Sequence, residues 1–253
     1  MADTKSKQRA SAHGPAEERG RDEQRERLAD IGAVTTKIVH DLGNPLAGVS
    51  MQAQLMQRRI TQNPDRPARD LAGCVDLIVT EVRRLDDLIK DFLEFAHQQR
   101  VRLESVAVGP LLRQVIEAWE PAASARDVVL TLEMAADVPP LHVDGSKVRR
   151  VLDHLVRNAI EAVDGSPRGV SVQAAPRKRH VRITVTDTGC GVPEDLEPFR
   201  LFETTKPEGS GLGLSIAKQI VTAHDGTIGF ERLGTGTSFY VDLPTRGAHR
   251  SPV

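Results

Sequence analysis

The 253-residue chain sets 34 Lys and Arg against 35 Asp and Glu, and a net charge of −1 gives no general case for nucleic acid or an anionic membrane as partner. A hydrophobic content of 39% permits packed cores, while aromatics at 3% leave the packing to aliphatic side chains. Cys74 and Cys190 show no CxxC or metal-ligand spacing, no apolar run approaches the ~20 residues that cross a bilayer, and no secretory segment opens the chain, so it reads as cytoplasmic with free thiols.

Residues 1–20 are polar and charged, with Gly and Pro, and read as disordered. Residues 21–98 read as a helical hairpin. Leu28, Ile31, Thr35, Ile38, Leu42, Pro45, Val49, Gln52 and Met56 follow alternating steps of three and four, which keeps them on one stripe. The run TQNPDRPARD breaks the helix with two prolines. Leu71, Val75, Ile78, Val82, Leu85, Ile89, Phe92 and Ala96 then repeat the pattern. A lone hairpin buries one seam, whereas two copies in a four-helix bundle bury the stripes far better, which predicts a homodimer.

A linker is expected over 99–106, a second domain over 107–244 and a tail over 245–253. GPLLRQVIEAWEPAASARDV reads as a helix and VVLTLEM as a strand. DGSKVRRVLDHLVRNAIEAV is a helix opened by an Asp-Gly-Ser capping region. GVSVQAA and HVRITVTD are β runs followed by a Gly- and Pro-rich loop. LSIAKQIVTAHDG is a further helix, and GTIGFE with TSFYVDL completes a sheet. The mixture predicts an α+β sandwich, a mixed sheet covered by helices, so the fold class as a whole is multidomain, α then α+β.

Two regions carry chemistry. In KIVHDLGNPLAG, His40 falls at the outermost heptad position if Ile38 and Leu42 face the seam. A solvated surface histidine would account for that position alone, but not for its neighbours. Asp41 can accept a proton from one imidazole nitrogen while the other attacks an electrophile. Asn44 lies one turn on, on the same face. Pro45 frees the Asp41 carbonyl from its helical bond, at a cost of roughly 3 kcal/mol in a helix interior, and permits a bend.

The second region has no GxxxxGK[ST], so it is not a P-loop. It offers four pieces in order. HLVRNAIEA places His154 and Asn158 on one helix face, and an amide oxygen is a hard ligand suited to Mg²⁺. DTGCG puts Asp187 at the end of a β run, where a carboxylate can accept from an exocyclic amine, and Gly189 and Gly191 let a flat ring approach the backbone. EGSGLGLSIA leads Gly209, Gly211, Gly213 and Leu214 into a helix whose first N–H groups favour phosphate oxygens. GTGTSF adds the Thr237 hydroxyl. Each piece alone is also explained as a cap, a turn or a surface residue.

Together they resemble the ATP-binding domain shared by histidine kinases, gyrase, MutL and the heat-shock chaperones, and HDLGNPLAG resembles the phosphoacceptor box of sensor histidine kinases. The resemblance covers roughly residues 27–244. It implies an ATP-dependent protein kinase that phosphorylates itself on His40, with Asp41 as acid/base and Asn44 positioning a water for dephosphorylating the partner. It further implies that Asn158 holds Mg²⁺, that Asp187 reads the adenine amine, and that Gly189 and Gly191 shape the adenine pocket. By the same resemblance Gly209, Gly211, Gly213, Leu214 and Thr237 line the nucleotide, Phe199 and Phe202 anchor a lid, and Lys206 reaches the γ-phosphate. The implied partner is an aspartate on a separate response-regulator receiver domain, with the upstream sensor or signal unknown. Three positions depart from the family pattern: Gly43 replaces a basic residue, His154 an asparagine, and Glu203 an aromatic or apolar residue. Three other readings are a degenerate phosphotransfer scaffold that no longer uses ATP, a chaperone- or topoisomerase-type ATPase, in which the His40 hairpin has no role, and a purely structural coiled-coil adaptor, which leaves the C-terminal glycine pattern unexplained.

Overall fold

A computed structural model describes residues 42–43, 45–56, 58, 69–96, 101–165, 167–206 and 209–245. His40, Asp41 and Asn44 lie outside the described residues. The chain divides into two compact units, Met1–Phe92 and Leu93–Val253. No helix among the described residues is long and apolar enough to cross a membrane.

In the first unit residues 45–56 are helical (α1), with residues 42–43 also helical, and α2 spans Arg69–Ala96. Along α1 the heptad is the inward face: Pro45 is buried and Leu42, Val49, Gln52 and Met56 are half-buried, while Leu46, Met51 and Leu55 are exposed. The two helices touch at Gly48, where an added Cβ would stand 3.6 Å from Cγ of Glu81. Along α2 the expected stripe splits. Leu71, Ile78, Leu85 and Phe92 are half-buried, whereas Val75, Val82 and Ile89 are 44%, 50% and 44% exposed. The most enclosed positions are instead Cys74, Leu88, Asp91 and Phe95. The inward face of α2 is therefore rotated from the expected one, and three of the seven stripe positions whose burial is described face outward.

The second unit opens with β1 (Glu104–Val106), which falls where the sequence suggests only a linker, and α3 (Val108–Ser124). β2 (Val129–Met134), β3 (Leu141–Val143), α4 (Gly145–Ala162), β4 (Gly169–Arg177) and β5 (His180–Asp187) follow. α5 (Gly213–Ala223), β6 (Thr227–Arg232) and β7 (Thr237–Pro244) complete it. β1 and β3 form a small antiparallel pair, and the main sheet has the order β2-β4-β5-β7-β6, parallel only between β2 and β4.

A two-residue period drives β5 into the sheet: Val181, Ile183, Val185 and Asp187 are buried, and the residues between them are half-buried. Val170, Val172 and Ala174 on β4 and Phe239, Val241 and Leu243 on β7 extend the same apolar face. α4 covers it with Val148, Val151, Leu152, Leu155, Val156, Ala159 and Ile160, at helical spacing. α3 and α5 flank α4, giving one helical layer on one sheet. On the other face Arg182 and Asp242, opposite each other on β5 and β7, pair through two bonds of 2.8 and 2.6 Å. Asp144 caps α4, its Oδ1 accepting from the N–H of Lys147. Burial raises that carboxyl, but bonds from Ser146, Arg102 and Lys147 and the Lys147 charge outweigh it and hold the group below its ordinary range.

Candidate functional site

The register of the central strands sets the first part of the site. Thr186 on β5 lies opposite Ser238 on β7, so Asp187 and Thr237 meet at one end of the sheet. Both are 2% exposed. Asp187 Oδ1 accepts from the N–H of Gly189 at 2.9 Å and of Thr237 at 3.2 Å. Burial pushes the Asp187 carboxyl up, against these two bonds and the Lys206 charge, which pull it down. The DTGCG turn also docks on α4: the N–H of Cys190 donates to the carbonyl of Ala162 at 3.2 Å. The approach requires glycine, because a Cβ on Gly189 would lie 2.2 Å from that oxygen. Gly191 lies beside Gly236, whose carbonyl oxygen a Cβ there would approach to 3.4 Å.

α4 supplies the second part. Asn158 and Glu161 lie three residues apart on one face, and the Lys206 ammonium donates to Asn158 Oδ1 at 3.1 Å and to Glu161 Oε2. Lys206 itself is held in a short loop, its N–H on Thr204 Oγ1 and its carbonyl accepting from Gly209.

His154, one turn earlier on α4, is 6% exposed. Its Nδ1 lies 3.2 Å from a terminal nitrogen of Arg157. A guanidinium only donates, so Nδ1 accepts and the ring proton sits on Nε2. Nε2 is buried without a hydrogen-bond partner. Burial first, then the charges of Arg157 and Arg150, pull this histidine from 6.5 down to about 3, so it is neutral at pH 7.

The glycine-rich segment supplies the third part. Gly211 has a φ of +66° and accepts the N–H of Phe202 on its carbonyl. Gly213 opens α5 against the His154 ring, and Leu214 is half-buried in the first turn. The Phe199 ring meets those of Phe230 and Phe239 edge-on at 6.0 and 6.1 Å, tying the intervening loop to the sheet.

The expected residues thus assemble into three linked groups: Asp187, Gly189, Gly191 and Thr237; Asn158, Lys206 and Gly209; and His154, Gly211, Gly213 and Leu214. Two participants went unread in the sequence. Glu161 could have been found, because it shares the i,i+3 face with Asn158. Arg232 could not: its guanidinium donates to the carbonyls of Val192, Pro193, Glu194 and Leu196, which fold the loop after DTGCG back towards β6.

A buried amine acceptor, an amide oxygen already meeting a cation and an orphaned buried N–H are donors and acceptors of the kind a Mg²⁺-nucleotide needs. Among the described residues no group of three or more His, Cys, Asp or Glu could hold a metal on its own.

Comparison with known proteins finds two families in the expected order. Residues 30–100 match the family "His Kinase A (phospho-acceptor) domain", and residues 143–247 match "Histidine kinase-, DNA gyrase B-, and HSP90-like ATPase". Sporulation kinase E of Bacillus subtilis (strain 168) is 30% identical over 88% of this chain and 30% of its own length. Among solved structures, histidine kinase ThkA in complex with response regulator protein TrrA is 26% identical with a TM-score of 0.74, over 89% of this chain and 65% of that one. Full-length ShkA in complex with AMPPNP is 26% identical with a TM-score of 0.62, over 86% and 47%. The chain spans 30–61% of the length of the first curated relatives it matches.

Proposed function

The chain carries the phosphoacceptor and ATPase domains of the sensor histidine kinases of two-component systems, and on that premise we propose that it is an ATP-dependent protein histidine kinase whose own His40 is the acceptor. The observation that carries the reading is the buried Asp187 carboxylate, fixed by Gly189 and Thr237 at the sheet end beside α4. With Oδ1 so occupied, Oδ2 is the atom for an exocyclic adenine amine. Gly189 and Gly191 give the ring room, and the first turn of α5, from Gly213 and Leu214, offers N–H groups to phosphate. Asn158 is the protein's ligand to Mg²⁺, which compensates phosphate charge. The His154 Nε2–H has no competing partner and donates to phosphate oxygen. Lys206 serves the γ-phosphate.

In the transfer itself a nitrogen of His40 bonds to the γ-phosphorus, the bond to the β–γ bridging oxygen breaks, and ADP leaves. Asp41 receives the imidazole proton, and Asn44 places water for the reverse duty of dephosphorylating the partner. The phosphoryl group then passes to an aspartate of a response-regulator receiver domain. The complex of ThkA with TrrA supports that class of partner.

The working species is a homodimer. Val75, Val82 and Ile89 recur every seven residues and stand exposed on α2, with Leu46, Met51 and Leu55 exposed on α1. A second copy supplies the cover a four-helix bundle provides. The proposed boundaries run 21–98 for the hairpin and 107–244 for the ATP-binding domain.

The test is incubation with γ-labelled ATP and Mg²⁺. Label should appear on the wild-type chain, be absent from His40→Ala, and chase onto a receiver domain. Label retained on His40→Ala contradicts the assignment.

A further inference from the structure

Helix α4 presents two oxygens, Asn158 Oδ1 and Glu161 Oε2, to a single cation, and that cation is the chain's own Lys206 ammonium. The contact bridges 48 residues of sequence to Asn158 and 45 to Glu161. It is built from both sides. Asn158 and Glu161 are one turn apart on a regular helix. The Lys206 backbone is fixed by Thr204 and Gly209, and a Cβ on Gly209 would come 2.6 Å from Thr204 Oγ1, so Gly209 packs tightly against Thr204.

A divalent ion on Asn158 cannot share this arrangement. Mg²⁺ binds oxygen at about 2.1 Å and demands near-octahedral space. An ammonium hydrogen-bonded to the same oxygen would then stand within a few ångström of a double positive charge. One cation must leave for the other to enter.

We propose that Lys206 is a placeholder cation and Glu161 its anchor: together they latch the nucleotide-free site shut over Asn158, and Mg²⁺-nucleotide opens it by taking Asn158 and drawing the ammonium onto phosphate. The inference deepens the proposed nucleotide site and rests on it for the identity of the displacing ligand. It gives Glu161 a role apart from the metal: Glu161 competes with the nucleotide for Lys206. Metal arrival is thereby coupled to release of the 203–206 segment, because the residue that Mg²⁺ displaces is the one that pins that segment to α4.

The pair is about one-third exposed on each side, which limits the latch to the range of partly solvated ion pairs. The test uses the full chain as wild type, Glu161→Gln, Lys206→Met and the double variant. Without nucleotide, amide hydrogen exchange over residues 203–206 should quicken in Glu161→Gln. With Mg²⁺, titration with AMPPNP should show Glu161→Gln binding about two- to five-fold tighter than wild type. That gain should vanish when Lys206 is already Met.

Three results overturn the latch. Unchanged exchange would mean that nothing is pinned. Weaker Mg²⁺-dependent binding by Glu161→Gln would make Glu161 a metal ligand instead. A gain that persists in the Lys206→Met background would reduce the effect to simple charge repulsion with phosphate. If no variant binds nucleotide, the proposed function fails, and the exchange comparison still judges the latch in the free chain.

Discussion

The His154 ring occupies the space that a side chain on Gly213 would need: a Cβ there would stand 2.9 Å from Nδ1. The pair joins α4 to the first residue of α5, across 59 residues of sequence. His154 is enclosed and bonded to Arg157, so the ring has little freedom to yield. Gly213→Ala should therefore destabilise the domain by about 1–3 kcal/mol, the usual cost of overpacking. In a His154→Asn background the shorter side chain vacates the space. The same alanine should then be neutral or stabilising, since alanine is the better helix former by about 1 kcal/mol. Urea denaturation of the four species measures the coupling.

Acid should weaken the fold through its buried histidines. His154 ordinarily titrates at 6.5 and is pulled down to about 3. His224, buried with Nε2 accepting from the Asp144 N–H and Nδ1 bonded to the Ile220 carbonyl, is lowered chiefly by burial. Above pH 6.5 both are neutral in either state, and their contribution is whole. Below it the unfolded chain takes up protons that the folded chain refuses, so stability falls with pH down to about 3. The slope is about 1.4 kcal/mol per pH unit from His154 alone. Chemical denaturation from pH 7.5 to 4.5 should show the decline, and His154→Asn should flatten it.

Asp187→Asn isolates recognition from folding. The amide oxygen can still accept from Gly189 and Thr237, so the sheet end should survive with a loss under about 1 kcal/mol. The amide NH₂ then takes the place of an acceptor and opposes the adenine amine. Calorimetry with AMPPNP should show affinity about 10- to 100-fold weaker, as for a buried polar group left unmatched.

The exposed part of the α2 stripe predicts the assembly. Ile89→Glu places a charge where a second copy would bury an aliphatic side chain worth about 1.5–3 kcal/mol. Since Ile89 is 44% exposed within one chain, helical content should be retained. Light scattering at micromolar concentration should move from dimer towards monomer mass.

Where a repeating period governs structure, the sequence was readable. β5 alternates without interruption, α4 carries its apolar residues at helical spacing behind an Asp144 cap, and the α1 heptad faces inward as expected. β1 and β3 were not readable, because three residues are too few to display a period and the pair exists only through long-range bonding. The rotation of α2 was hidden for a different reason. Its innermost positions include Cys74 and Asp91, residue types that a hydrophobic pattern passes over, while valines and isoleucines stay outside. In the site, the glycines and Asp187 announced themselves by motif. Glu161 was legible from its i,i+3 spacing to Asn158, whereas its bond to Lys206 and the His154–Gly213 contact depend on what the fold brings near, which spacing along the chain does not encode.

The docking of the DTGCG turn has a practical consequence. It ties the Cys190 N–H to the Ala162 carbonyl but leaves Cys190 exposed, while the chain's other cysteine, Cys74, is enclosed. This chain thus offers one addressable thiol at the rim of the DTGCG turn. A small maleimide dye attached there would watch occupancy of the neighbouring site as an optical signal, with no engineered cysteine required.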